Sequence, residues 1–248
     1  MYKDIFLNRK AVCFDLDGTI VDSHPIWLRA HRLVLENLKM NTYVEPTDYC
    51  EVGVSLTKTW ENFLNKYDVD KDLTAEGLAE ATNRSFVNIL QTIELEPREG
   101  FWSLAAKLKE DMKLKLGLVT NTPRYVAEQV LNKIGFVSSL DAKMFGDDVQ
   151  HKKPNPEMYI KVAKDLGAIK PKEIVVFEDS VVGVTAAAEA KMDIVLIKDS
   201  NRSLKDYPGN IVFAAPDFSS LADELDTTYK EAWDAALENI GEKINKKD

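Results

Sequence analysis

Ala11-Val12-Cys13-Phe14-Asp15-Leu16-Asp17-Gly18-Thr19 is the stretch that decides how this chain is read. A short unbroken apolar run that stops at turn-forming residues reads as a fully buried strand. Asp15 and Asp17 then sit at its carboxyl end, the edge at which open α/β sheets bind their ligands. Residues two apart on an extended backbone face the same side, so both carboxylates can address one ligand from a rigid support. Their ionised forms repel, and a cation or a shared proton between them relieves that. Taken alone, the stretch also fits a solvated loop with two helix-capping aspartates.

Three further segments weigh against that plainer reading. Leu116-Gly117-Leu118-Val119 is a second apolar run and ends in Thr120-Asn121. Lys153 follows in His151-Lys152-Lys153-Pro154-Asn155-Pro156, and Ile174-Val175-Val176-Phe177 is a third run, ending in Glu178-Asp179-Ser180. Each run is free of polar side chains inside and delivers them at its carboxyl end. The stretches FDLDGTIVDS (14–23), LVTNT (118–122), KPNP (153–156) and VVFEDSVVGVTAAAEA (175–190) together resemble the four motifs of the haloacid dehalogenase superfamily of phosphohydrolases. The likeness is closest to the branch holding beta-phosphoglucomutase, phosphoglycolate phosphatase and sugar phosphatases. It spans about residues 10 to 200 and is weak in the helical segment between the first two motifs.

Alternating strand and helix patterns imply a parallel sheet covered on both faces, and the resemblance implies a Rossmann-like core of the haloacid dehalogenase type. Between Asp22 and Glu94 the pattern is helical instead, with stripes at Ile26, Ala30, Leu33, Val34 and Leu38, at Leu56, Trp60, Phe63, Leu64 and Tyr67, and at Phe86, Ile89, Leu90 and Ile93. The expected division is a catalytic core of residues 1–22 and 96–248 and an inserted all-helical cap of residues 23–95. His24-Pro25 and Glu96-Pro97-Arg98-Glu99-Gly100 are the expected linkers. Further expectations are a helix opened by Thr122 as N-cap, an edge strand at Ala142–Phe145, a helix from Asn155-Pro156 to Leu166, and strands at 194–197 and 211–214. Phe218, Leu221, Leu225, Tyr229, Trp233 and Leu237 predict an amphipathic helix in the tail.

A net charge of −9 argues against nonspecific nucleic-acid binding and against anionic membranes. It leaves room for a phosphorylated substrate, because a metal and one lysine can reverse the local field. Cys13 and Cys50 make no disulfide framework; the stretch MYKDIFLNRK lacks the apolar run expected of a signal peptide, and no run approaches transmembrane length. The expected setting is the cytoplasm, with a small phosphorylated metabolite as partner and a monomeric enzyme.

A phosphate monoester dianion repels nucleophiles, so its site must neutralise the equatorial oxygens and align attacker with leaving group. By this chemistry and the resemblance, Asp15 is the nucleophile that forms an aspartyl-phosphate, and Asp17 is the acid and base. Mg²⁺ takes oxygen ligands, and those expected are Asp15, Asp179 and the main-chain carbonyl of Asp17. The resemblance adds Glu178, within that set or next to it. Thr120 donates its hydroxyl to the phosphoryl group, as do the amides of Leu16 and Asn121, while Lys153 neutralises the group and holds Asp15. In the cap, Ser55 and Lys58 are the expected substrate-selecting residues. Each assignment has a plainer rival: a capping role for Thr120, solvent for Lys153 and Lys58, and a supporting role for Glu178. His24 and His31 are candidate acids, and for His24 a helix-start role is the preferred reading.

Two departures narrow the function. Relatives of the beta-phosphoglucomutase type carry a histidine where this chain has Trp27, and an arginine ahead of a Gly-Val-Ser segment where it has Cys50 before Gly53-Val54-Ser55. Both missing groups would grip a second phosphate or an intermediate, which a mutase needs and a hydrolase does not. A phosphatase is therefore expected, with a phosphosugar mutase as the alternative. True haloacid dehalogenases lack the aspartate equivalent to Asp17. A receiver-like signalling domain and a catalytically idle binding protein are further alternatives. The insertion and the paired Asp15/Asp17 oppose the first, and the full set of carboxylates opposes the second.

Overall fold

The computed structural model of the protein describes residues 3–38, 43–70, 72–167, 170–198, 203–223 and 225. All four residues of β1 (Ala11–Phe14) are fully buried, as a strand covered on both faces requires. Val12 and Phe14 point into one apolar cluster with Phe101, Phe177 and Phe218, whereas Ala11 and Cys13 point into another with Met158, Val176 and Val184. The period-two alternation of strand side chains thus supplies both layers of the core from one short run.

Five more strands complete a parallel sheet: β2 (Lys115–Val119), β3 (Ala142–Met144), β4 (Ile174–Glu178), β5 (Asp193–Ile197) and β6 (Ile211–Ala215). Their order is β3-β2-β1-β4-β5-β6, and every neighbouring pair is parallel. This Rossmann-like order reverses direction between β1 and β4, and the crevice at such a switch point is where α/β sheets bind ligands. Flanking helices are α1 (Lys3–Phe6), α5 (Phe101–Ala106), α6 (Arg124–Lys133), α7 (Glu157–Asp165) and α8 (Val181–Glu189). As expected, β3 is an edge strand.

The insertion contains α2 (His24–Asn37), α3 (Leu56–Lys66) and α4 (Ala75–Leu90). It has its own core around Tyr49, Trp60, Phe63 and Leu78, while Ile26, Ala30, Phe86 and Ile89 join the main core below. Leu33, expected on the apolar stripe of α2, is 38% exposed.

Two local expectations are corrected. His24-Pro25 is the first turn of α2 rather than a linker, since proline is readily accepted at a helix start. The chain crosses instead at Val21, which bridges to Pro97, and Arg98 donates from Nε to the Gly18 carbonyl at 2.8 Å. Thr122 does not cap α6; Pro123 occupies the N-cap, and the Thr122 hydroxyl is used elsewhere. Lys191 adopts φ +62°, a left-handed turn that costs a non-glycine residue about 1 kcal/mol. Of the tail helix, Phe218, Leu221 and Leu225 are buried, and Tyr229, Trp233 and Leu237 lie outside the described residues. No helix among the described residues is long and apolar enough to cross a membrane.

Candidate active site

The carboxyl ends of β1, β2 and β4 open into a cavity of about 350 Å³ that the insertion roofs. Asp15 follows β1 directly and is 7% exposed, its amide donating to the Phe177 carbonyl of β4 at 3.0 Å. Lys153 reaches the same point from the loop before α7. Its ammonium donates to Asp15 Oδ1 at 2.7 Å, to the Val119 carbonyl at 2.7 Å and to Glu178 Oε1 at 2.6 Å, which uses all three of its protons. Burial disfavours that charge, but Asp15 and Glu178 outweigh burial and hold the lysine above its usual pKa.

Glu178 is the last residue of β4 and fully buried. Its Oε1 also accepts from the Tyr159 hydroxyl at 2.9 Å, and its Oε2 from the Ser180 hydroxyl at 3.2 Å and the Asp179 amide at 3.2 Å. Gly183 makes room for this carboxylate, since a Cβ there would lie 1.8 Å from Oε1. With both oxygens engaged, Glu178 braces Lys153.

Asp15, Glu178 and Asp179 each bring a carboxylate oxygen within 4.8 Å of the others. Burial first, and then the neighbouring carboxylates, push Asp15 well above the usual range despite the opposing pull of Lys153. Burial and Glu178 likewise push Asp179 up to about 8. Packed carboxylates that raise one another in this way are a donor set suited to a hard cation. Gly18, at φ +93°, admits the Asp179 carboxylate against the loop after Asp17; a Cβ there would stand 2.2 Å from Asp179 Oδ2. Asp15 and Asp179 fit a divalent metal, and Glu178 is the member whose lone pairs are already taken.

The Asp17 side chain lies outside that acidic group. Its Oδ1 accepts from the Ser23 hydroxyl at 2.6 Å and from the Trp27 indole at 2.9 Å, and its Oδ2 from the Thr122 hydroxyl at 2.7 Å. Trp27 belongs to the insertion and stacks on Phe86 of α4, with ring centroids 3.9 Å apart. The sequence foretells none of these three contacts. Usable signals exist for Thr122, which lies two residues beyond Thr120 at a strand end, and for Trp27, whose place close after the first motif points it to the pocket. Thr120 Oγ1 accepts from the Thr122 amide at 3.1 Å, which leaves its own proton to donate.

The Asn121 side chain ties the roof to the floor, donating to the carbonyls of Gly53 at 2.9 Å and Lys153 at 3.2 Å. Asn121 lines the cavity, whereas the Leu16 side chain is buried in the core beneath it. Neither the Leu16 amide nor the Asn121 amide meets an acceptor among the described residues. Ser55 lines the cavity and caps α3 through the Lys58 amide. Lys58 is not brought to the cavity: its ammonium pairs with Glu61 at 2.9 Å on the exposed face of α3. His31 is buried against Tyr49 and Trp60, and burial lowers it to about 4.

A Rossmann-like sheet with carboxylates at its switch point and a helical roof is the architecture of haloacid dehalogenase-like hydrolases. Residues 9–191 match that family. A phosphorylated carbohydrates phosphatase of Thermotoga maritima is 30% identical over 74% of this chain and 82% of its own length. A phosphoglycolate phosphatase of Salmonella typhimurium is 30% identical over 75% of this chain and 80% of its own. The crystal structure of CbbY from Rhodobacter sphaeroides in complex with phosphate superposes with TM-score 0.77 at 22% identity, covering 86% of this chain and 96% of that one. The chain belongs to the haloacid dehalogenase-like hydrolase family and is a phosphoric monoester hydrolase.

Proposed function

We propose that this protein is a Mg²⁺-dependent phosphatase of small phosphorylated metabolites, of the sugar phosphate or phosphoglycolate kind, acting through an aspartyl-phosphate on Asp15. The observation that carries the reading is the buried Asp15 carboxylate, held by Lys153 and faced by Asp179 at the switch point of the sheet. The names of the curated relatives support the substrate range.

Asp15 attacks phosphorus as the ester P–O bond breaks, and the leaving alkoxide takes a proton from Asp17. Water then attacks the aspartyl-phosphate, gives a proton to Asp17, and breaks the bond from Asp15 to phosphorus. This releases phosphate and restores both carboxyl groups. When bound by Asp15, Asp179 and the Asp17 carbonyl, Mg²⁺ supplies positive charge that keeps the carboxylates ionised and draws in the phosphoryl oxygens. Lys153 keeps the Asp15 carboxylate aimed and charged. The Thr120 hydroxyl and the amides of Leu16 and Asn121 donate to the oxygens of the transferring group.

Trp27 assigns the proton on Asp17. An indole N–H can only donate, so Oδ1 must remain an acceptor. The acid form of Asp17 therefore carries its proton on Oδ2, where the Thr122 hydroxyl can reverse its role. Residues 23–95 act as a cap that opens to admit substrate and closes to exclude water.

Phosphate release from 4-nitrophenyl phosphate, measured with and without Mg²⁺ in the wild type and Asp15→Asn, tests this reading. The expected result is activity in the wild type with metal only, and none in the variant. Substantial metal-free turnover, or an active Asp15→Asn protein, would overturn it.

A further inference from the structure

The floor and the roof of the cavity differ in charge. The floor carries Asp15, Asp17, Lys152 and Lys153, whereas no lysine or arginine of the insertion lines the cavity among the described residues. Among the described residues the one carboxylate on the roof is that of Glu51, exposed and held by a turn in which its carbonyl accepts from the Val54 amide at 3.3 Å, while the His24 imidazole lines the cavity with Nδ1 3.8 Å from Asp22. His31, on the same wall, is kept neutral by burial at ordinary pH, and its Nδ1 is engaged with the Tyr49 hydroxyl at 3.2 Å. Cys50 is kept a neutral thiol, because burial pushes it up to about 12.

The remaining polar groups of the roof exchange hydrogen bonds without bearing charge. Thr47, Ser55 and Thr57 offer hydroxyls, which donate or accept as needed. Asn83 lines the cavity, and its Oδ1 is buried with no donor. On the floor, Lys153 is spent on Asp15 and Glu178, and Lys152 lines the cavity from the core side. A second phosphate or a carboxylate reaching the roof would meet Glu51 and no lysine or arginine, at a loss of its hydration. Hydroxyl groups would meet partners of either sense.

We infer that the roof selects phosphomonoesters whose leaving group is an uncharged, hydroxylated body such as a sugar or polyol, and that Glu51 turns away a second anionic group. This rests on the phosphatase reading above and narrows it, setting phosphoglycolate and bisphosphates aside. Glu51 acts at the entrance by its field, without contact with the reacting atoms.

The test measures kcat/KM with Mg²⁺ on five probes: fructose 1-phosphate, glucose 6-phosphate, fructose 1,6-bisphosphate, phosphoglycolate and 4-nitrophenyl phosphate. The enzymes compared are the wild type, Glu51→Gln and Glu51→Lys. In the wild type at least one sugar monophosphate should exceed both the bisphosphate and phosphoglycolate by about tenfold or more. Glu51→Lys should narrow the ratio of monophosphate to bisphosphate by about tenfold, with Glu51→Gln between the two and the effect shrinking as salt is raised. A wild type that prefers phosphoglycolate or the bisphosphate would overturn the inference. So would an aryl phosphatase that turns over neither sugar monophosphate, or ratios that both substitutions leave unchanged. Failure of the wild type on 4-nitrophenyl phosphate would instead strike the phosphatase reading itself, so the two failures are distinguishable.

Discussion

The floor and the roof of the cavity are built on opposite principles. On the floor the buried and half-buried charges are tied to others: Lys153 to Asp15, Glu178 and Val119, Asp17 to three donors, and Asp179 to Thr19. The roof is an apolar core of its own with uncharged polar groups facing inward. Chemistry on a phosphoryl group requires fixed charges at fixed distances, which a sheet edge supplies. Discrimination among leaving groups needs a surface that can be altered without disturbing those charges, and a separate helical insertion supplies that.

Substitutions on the two sides should therefore differ in kind as well as size. The largest expected effect is that of Asp15→Asn, which removes the proposed nucleophile and should lower kcat by about a thousandfold or more on every substrate. A loss confined to some substrates would move Asp15 to the selecting side. Next comes Lys153→Met, which leaves Asp15 and Glu178 buried without their counter-charge. Breaking a buried pair in this way costs about 3–5 kcal/mol, to be read as a lower urea midpoint at unchanged slope. An unchanged midpoint would show that the lysine serves substrate alone.

His31 tests the roof through pH. Burial lowers its pKa from 6.5 to about 4, so between these values the unfolded chain binds more protons than the folded one. Its contribution to stability is complete above about pH 6.5 and is lost as pH falls toward 4, by up to about 3 kcal/mol. Unfolding followed by tryptophan fluorescence from pH 7 to 4 should show this slope, and His31→Gln should flatten it. A slope that survives the substitution belongs to other groups.

Trp27→Phe keeps an aromatic ring against Phe86 and removes the N–H that holds Asp17. One lost hydrogen bond of about 1.4 kcal/mol corresponds to about tenfold in rate. The loss should fall on alkyl esters, whose leaving group needs a proton, more than on 4-nitrophenyl phosphate. Equal losses on both would reduce Trp27 to a packing residue. The smallest effect belongs to Lys58→Ala, because an exposed pair with Glu61 contributes little. Every kcat/KM should stay within about twofold, and a selective change would bring Lys58 into the binding surface.

Much of the floor is legible in the amino-acid sequence, because a parallel strand leaves a plain trace. The runs at 11–14, 116–119 and 174–177 stop where polar residues begin, and the sheet carries those residues to one edge. Glu178 is harder to read. In sequence it is one more carboxylate beside Asp179, and only the contacts with Lys153, Tyr159 and Ser180 show its oxygens to be spoken for. Thr122 has the look of a helix cap because a hydroxyl followed by proline usually is one; the pull of Asp17 across the crevice decides otherwise.

The roof resists such reading for a different reason. Helical stripes at Trp60, Phe63, Phe86 and Ile89 announce an inserted bundle, yet they say nothing of which polar residue turns toward the crevice. Ser55 and Lys58 are three apart at the start of one helix, and their separation between cavity and solvent depends on how α3 lies over the sheet. Strand order, register and the seating of α2 on the core set the partners of Asp17, the neutrality of the roof and the isolation of Glu51. By itself, the sequence determined the parallel sheet, the helical insertion and the gathering of Asp15, Thr120 and Asp179 at one edge, because these follow from local hydrophobic period, while Lys153 was legible only through the resemblance of its motif. Which carboxylate meets which donor was decided by tertiary structure alone. Lys153 and Asp15 stand 138 positions apart in the chain, and Thr19 and Asp179 stand 160 apart, so only packing brings them within hydrogen-bonding reach.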